Sequence, residues 1–341
     1  MRRLWLLLLL ALAGCETISY YSQAIGGHLR LISAARPIDA WLADPQTPPE
    51  LRERLQLAAR IRAFASRRLE LPENGSYQSY ADLDRPYVVW NVFAAGEFSV
   101  EAKQECFPFT GCVSYRGFYD EKDARRHAHK LRAEGYDVHV GGVPAYSTLG
   151  WFDDPLLSTF IRYPDTQLAR LVFHELAHQV AYAKNDTTFN ESFAVVVEEI
   201  GVRRWLEAEG RSAELESFRA AQARKRAFAA RVKEARDRLA AVYAAGLPRG
   251  ELVAAKRAEF ERLRAQYGAI IPAEPNNAFL VSIALYSELV PAFERVLAGQ
   301  GGDLGRFYAK VRALAALDKG GRVAALGERN VDERKERRPG A

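Results

Sequence analysis

One stretch limits the fold of this chain more than any other. Residues 171–180 read LVFHELAHQV, so His174 and His178 stand four apart with Glu175 directly after the first. On an α-helix, positions four apart share a face, with Cβ atoms roughly 5–6 Å from each other. Two imidazoles so placed can meet one cation at about 2.0–2.1 Å. Glu175 is rotated by about 100° around the helix axis. It can reach the outer side of a water held at that cation without binding the cation itself. The segment therefore asks for a helix, and for a further ligand brought to it from elsewhere.

No ligand follows on the same segment in a Gly-then-His pattern, because positions 181 and 184 hold Ala181 and Lys184. The next candidate is Glu191, which opens the run FNESFAVVV after an interval of 12 residues, 179–190. The short KNDTT loop lets a second helix turn back on the first. His174, His178 and Glu191 plus a water match a His₂Glu site with one open position. A closed structural zinc site would want four protein ligands, and only these three are found. Zinc lowers the pKa of its water towards about 7, and Glu175 can accept that proton and pass it to a leaving amine. Glu198 and Glu199 lie about two turns beyond Glu191. They are expected on the surface, although one could support the ligands.

The N-terminus reads MRRLWLLLLLALAGCETIS. Arg2 and Arg3 precede an apolar run from Leu4 to Ala13, too short for a bilayer span of about 20 residues but suited to a signal peptide, here residues 1–14. Leu12-Ala13-Gly14-Cys15 looks like a bacterial lipobox, which makes Cys15 the lipidated first residue of the mature chain. Glu16 points to the outer membrane rather than the inner one, facing the periplasm. The formal net charge is +5, and about +3 once the two arginines are set aside. That is too little to argue for nucleic acid.

The mature chain is expected to be one peptidase-like domain over 15–327, with a disordered basic tail over 328–341. Apolar spacing gives helices up to about Leu69, the second opened by Pro48-Pro49. From about 85 to 150 the chain turns β-rich, with YVVWNVFAAGEFSV, GCVSYRGFY and YDVHVGGVPAYSTLG as strands around one short helix. Export implies an oxidising compartment, so Cys106 and Cys112, with Pro108 and Gly111 between them, are expected to staple a hairpin. His127 and His129, two apart on the short helix, cannot share a ligand and belong on the surface. Helices follow over about 165–206, the first expected to run from Asp165 to Ala183. A long charged helical hairpin occupies about 206–267 and turns at Gly246-Leu247-Pro248. Its charges suit a solvated face and could also meet a protein partner. The fold class is α+β, mostly helical.

HELAHQ followed by FNESFA resembles the gluzincins, the glutamate-type zincins that include thermolysin. More closely, the chain is similar to a family of bacterial lipoprotein zinc aminopeptidases. YYSQAIGGHL, PAYSTLGWFDDP and NNAFLVSIALY also fit that family, so the likeness spans most of the mature chain. The resemblance implies that His174, His178 and Glu191 hold one zinc ion and that Glu175 is catalytic on a peptide or protein substrate. It departs from the thermolysin pattern in two places. The interval to Glu191 is shorter, and Val195 stands where an acid would orient a histidine, leaving Asp153, Asp154 and Glu198 as unranked substitutes. An edge strand at 143–151 would pair with the substrate through Tyr146, Ser147 and Thr148. Tyr286, Tyr146 and Asn277 are the candidates for stabilising an oxyanion. Aminopeptidase activity rests on this resemblance alone, with endopeptidase or oligopeptidase activity as the close alternative. A different class of reading is a non-catalytic lipoprotein of the same fold that binds or assembles envelope components.

Overall fold

The computed structural model describes residues 20–107 and 111–327. The expected signal segment, Cys15 and the tail from 328 lie outside the described residues. The chain is mostly helical with small sheets, an α+β arrangement.

Helix α1 covers 20–34. A two-residue strand β1 (Arg36–Pro37) leads into α2 (Ile38–Ala43) and α3 (Pro49–Leu69). Pro49 begins α3 because its missing N–H is one the first turn would leave unbonded anyway. Leu51, Leu55, Ala58, Ile61, Ala65 and Leu69 fall three or four apart, so one face of α3 enters the core. Arg62 on that helix is buried, with its guanidinium donating to the carbonyls of Ser76, Pro72 and Asn74. This fixes the 72–76 loop, and the loop in turn holds Gln179: Asn74 Nδ2 donates to Gln179 Oε1 at 2.7 Å and Gln179 Nε2 donates to Ser76 Oγ at 3.1 Å.

The β elements come next: β2 (Ser79–Ala81), β3 (Val89–Gly96), β4 (Glu105–Phe107), β5 (Gly111–Val113) and β6 (Arg116–Phe118), then α4 (Glu121–Ala133), β7 (Tyr136–Val143) and β8 (Leu156–Leu157). β1, β2 and β8 form one small sheet, with β2 and β8 parallel. The principal sheet is antiparallel, in the order β6-β3-β7. Both faces of β3 are covered, following the alternation of a strand. Trp90, Val92 and Ala94 pack with Ala124, Ala128 and Leu131 of α4. Phe93 and Ala95 pack on the opposite side. β4 and β5 pair as a hairpin closed by a Cys106–Cys112 disulfide between directly opposed residues.

The helical half comprises α5 (Asp165–Ala177), α6 (Thr187–Ala208), α7 (Ser212–Ala244), α8 (Arg249–Tyr267), α9 (Asn277–Leu285), α10 (Val290–Gly299), α11 (Leu304–Ala315) and α12 (Lys319–Gly327). α6 is apolar nearly all round and correspondingly buried. Its Phe193 meets Phe293 of α10 and Phe307 of α11. α9 covers the second face of β3 through Ala278, Val281 and Leu285. The α7–α8 hairpin is only partly solvated. Val232, Ala235 and Leu239 pack with Phe260 and Leu263 and seat the hairpin on Phe279 and Leu280 of α9.

Two boundaries differ from the reading of the sequence. α5 stops at Ala177, six residues short of Ala183, with His178 as its C-cap. The reason is tertiary: the Asn190 side chain accepts from Ala183 N at 2.7 Å and donates to Ala183 O at 3.0 Å. A helix continued to Ala183 would carry that residue about 9 Å further along the axis, beyond the reach of Asn190. The strand after α4 ends at Val143, and 144–148 are not assigned to any ladder. Thr148 N is taken by Asp154 Oδ2 at 2.8 Å, Leu149 N by Ser147 Oγ at 3.1 Å, and Pro144 O accepts from Thr159 Oγ1 at 2.6 Å, so side chains rather than a neighbouring strand hold this segment.

Candidate metal centre

α5 presents His174 and His178 one turn apart, and the first turn of α6 presents Glu191 opposite them. Asp186 caps α6 by accepting from Phe189 N at 3.1 Å, and its other oxygen takes Arg322 Nε at 2.9 Å. These bonds and the Asn190 clamp fix how α6 enters, and hence where Glu191 points.

The three donor atoms form a tight triangle. His174 Nε2 and His178 Nε2 are 3.2 Å apart, His174 Nε2 lies 3.3 Å from Glu191 Oε2, and His178 Nε2 lies 3.6 Å from the same oxygen. A tetrahedral ion with bonds of 2.0–2.1 Å separates its ligands by about 3.4 Å, so the triangle has the dimensions of three corners of such a site. All three residues are buried, and among the described residues they form a cluster able to hold a metal ion. Glu175 is outside that cluster but lines the same cavity. Burial pushes the Glu175 carboxyl up, against the opposing pull of His174 and His178.

Glu198 is the acid that meets a histidine of the cluster. Its Oε2 lies 2.9 Å from His174 Nδ1, and Arg170 Nη1 and Lys225 Nζ approach its other oxygen at 3.1 and 3.4 Å. Such an acceptor fixes which imidazole nitrogen carries the proton and leaves Nε2 for the cation. Both Glu198 and Glu199 are buried rather than on the surface, with Glu199 paired to Arg226. The expected support from position 195 is shifted one turn on: Glu198 is seven after Glu191 on the same face, and Arg170 is four before His174. Burial would raise the Glu198 carboxyl, but Arg170 and Lys225 outweigh it and hold it far below the usual carboxylate range. Burial would likewise lower the His174 pKa, whereas its bonds to Glu191 and Glu198 push it up to about 10. Glu191 is held down at about 2, despite its burial, by His178 and His174. Glu198→Ala is expected to weaken metal binding by about 10- to 100-fold, measured by competition with a chromophoric chelator. Unchanged affinity would show that Glu198 does not act through His174.

The remaining candidates divide. Tyr286, the C-cap of α9, stands beside the cluster with its ring centroid 6.3 Å from that of His174. Burial first, then Glu191, keeps its hydroxyl protonated and able to donate. Tyr146, Ser147 and Thr148 line the cavity that holds the histidines. The Tyr146 hydroxyl lies 2.6 Å from His28 Nδ1. Asn277 is not at the site. It is fully buried, accepts from Tyr243 Oη and donates to the carbonyls of Gly96 and Glu97, which saturates its amide in joining α9 to the end of β3. Asp154 braces Thr148 and does not contact the histidines.

Two histidines from one helix and a glutamate from the next, with a free carboxylate beside them in a cavity, define the class: a candidate mononuclear metal centre with the groups for hydrolysis. The family follows from the chain as a whole. The family model described as "Putative aminopeptidase" matches residues 19–326, and the chain belongs to that family. No curated protein matches this sequence, and no solved structure matches it.

Proposed function

We propose that this protein is a zinc-dependent peptidase of the His₂Glu type, holding one zinc ion on His174, His178 and Glu191. The observation that carries this reading is the donor triangle with sides of 3.2, 3.3 and 3.6 Å, beside an unligated glutamate. Bound zinc supplies Lewis acidity, which acidifies a water and polarises a carbonyl. The protein's own groups do the rest. Glu175 takes one proton from the attacking water and delivers it to the departing amine nitrogen, as a C–O bond forms and the C–N bond breaks. Tyr286 donates a hydrogen bond to the oxygen on which negative charge develops. Glu198, braced by Arg170 and Lys225, keeps His174 in one tautomer and orientation. The family description supports peptide hydrolysis and names removal of N-terminal residues as its form.

Turnover of a mixed peptide library, followed by mass spectrometry, tests the reading. Cleavage should stop on chelation and return on addition of about one equivalent of zinc. No cleavage by the zinc-loaded chain, or cleavage indifferent to chelation, would refute it. A non-catalytic role is the weaker reading, because burying the Glu175 carboxyl is costly and a chain without chemistry would be free to lose it.

We also propose that the mature chain is tethered through Cys15 to the outer membrane and faces the periplasm. Among the described residues, no helix is long and apolar enough to cross a membrane. Cys15→Ser is expected to move the protein from the membrane fraction to the soluble fraction on cell fractionation. Full retention in the membrane would count against the tether.

A further inference from the structure

His174, of the candidate cluster, and Glu175 beside it line two cavities. One, of about 480 Å³, runs towards the disulfide hairpin and α1. The other, of about 710 Å³, runs towards α7 and α10. Their walls share Val143, Ala145, His174, Glu175 and Tyr286. His174, Glu175 and Tyr286 therefore stand on the partition, with room on both sides of it, while His178 and Glu191 line the first cavity alone. Cavities of several hundred cubic ångströms each take a group the size of a small ligand.

A site that trims a free N-terminus usually holds the substrate's ammonium group on an acid. Among the described residues lining the first cavity, the only carboxylates are Glu175 and Glu191, the proposed base and a ligand. The second cavity adds four, and each is already committed. Glu198 meets Arg170 and Lys225 at 3.1 and 3.4 Å. Arg226 pairs with Glu199 and with Glu294, the latter at 2.6 Å, and Arg236 pairs with Glu288 at 2.9 Å. Asp154 lines neither cavity. The first cavity is instead walled by aromatic rings, including Tyr20, Phe107, Tyr115, Tyr119, Trp151 and Tyr182. Such rings recognise bulky apolar surface by area and edge geometry.

We propose that the enzyme cuts inside a peptide rather than at its free N-terminus, with the chain occupying both cavities and a bulky apolar or aromatic residue of the substrate in the first. This rests on the peptidase reading above and specifies its substrate class. The test compares a blocked decapeptide, N-acetylated, C-amidated and carrying one phenylalanine, with the same peptide bearing a free amine and with aminoacyl coumarylamides. The zinc-loaded wild type should cleave the blocked peptide internally, beside phenylalanine. Its kcat/KM should be within about threefold of the free-amine form and at least about tenfold above the coumarylamides. Binding to the inert Glu175→Gln protein, read by calorimetry, should likewise change by less than about threefold on acetylation. Ala229→Trp, which narrows the second cavity, should lower kcat/KM for the blocked decapeptide about tenfold or more with metal content unchanged. Stepwise loss of N-terminal residues, with the acetylated peptide resistant, would overturn this proposal and leave the peptidase reading intact. No turnover of any substrate would overturn both.

Discussion

Glu175→Gln is expected to lower kcat for peptide hydrolysis by about 10²–10⁴-fold while metal content stays at the wild-type level. The substitution keeps the size of the side chain and removes its basicity. Glu175 lines both cavities but stands outside the donor triangle, so its loss leaves all three ligands in place. Burial raises its pKa, against the opposing pull of His174 and His178. Steady-state kinetics beside elemental analysis provide the check. Equal turnover in wild type and variant would remove Glu175 from the chemistry, and loss of metal in the variant would make it a ligand instead.

Glu191→Ala is expected to reduce zinc affinity on the order of 10²–10³-fold. Structural zinc sites with four ligands bind with apparent free energies of about 10–16 kcal/mol at neutral pH, or roughly 3 kcal/mol for each ligand. The two histidines come from one turn of α5 and occupy only two corners, so nothing else among the described residues completes the set. The loss also removes one of the carboxylates bonded to His174, which makes the remaining imidazole pair a poorer host. A chelator competition titration reads the change, with thermal unfolding of the metal-free proteins confirming that both variants are folded. Wild-type affinity in Glu191→Ala would show that the third ligand lies elsewhere.

The parts of the site that the sequence made legible are those set by short distances along the chain. His174, Glu175 and His178 depend only on helical spacing, and Glu191 follows because a short loop leaves α6 little choice but to fold back. The supporting groups were harder to read because they depend on elements far apart. Glu198 looked like a surface acid two turns on, and only the approach of Arg170 from α5 and Lys225 from α7 shows what balances its burial. Asn277 looked like a polar group near the site, yet β3 and α7 consume its hydrogen bonds. The end of α5 is invisible in its own sequence, which continues to suit a helix, because Asn190 fixes it from the next one. The alternation from Tyr136 onward is a true strand pattern, but after Val143 side chains rather than a neighbouring strand hold the segment, Thr159 at Pro144 and Asp154 at Thr148. In each case the local pattern was right and a contact from elsewhere decided the outcome.

Zinc-edge X-ray absorption on the purified wild-type chain measures the proposed centre most directly. The account predicts one zinc per chain with two imidazole nitrogens, one carboxylate oxygen and one further light atom at about 2.0–2.2 Å. A spectrum with four protein ligands, with sulfur, or with fewer than two imidazoles, or a chain that takes up no zinc, would contradict it.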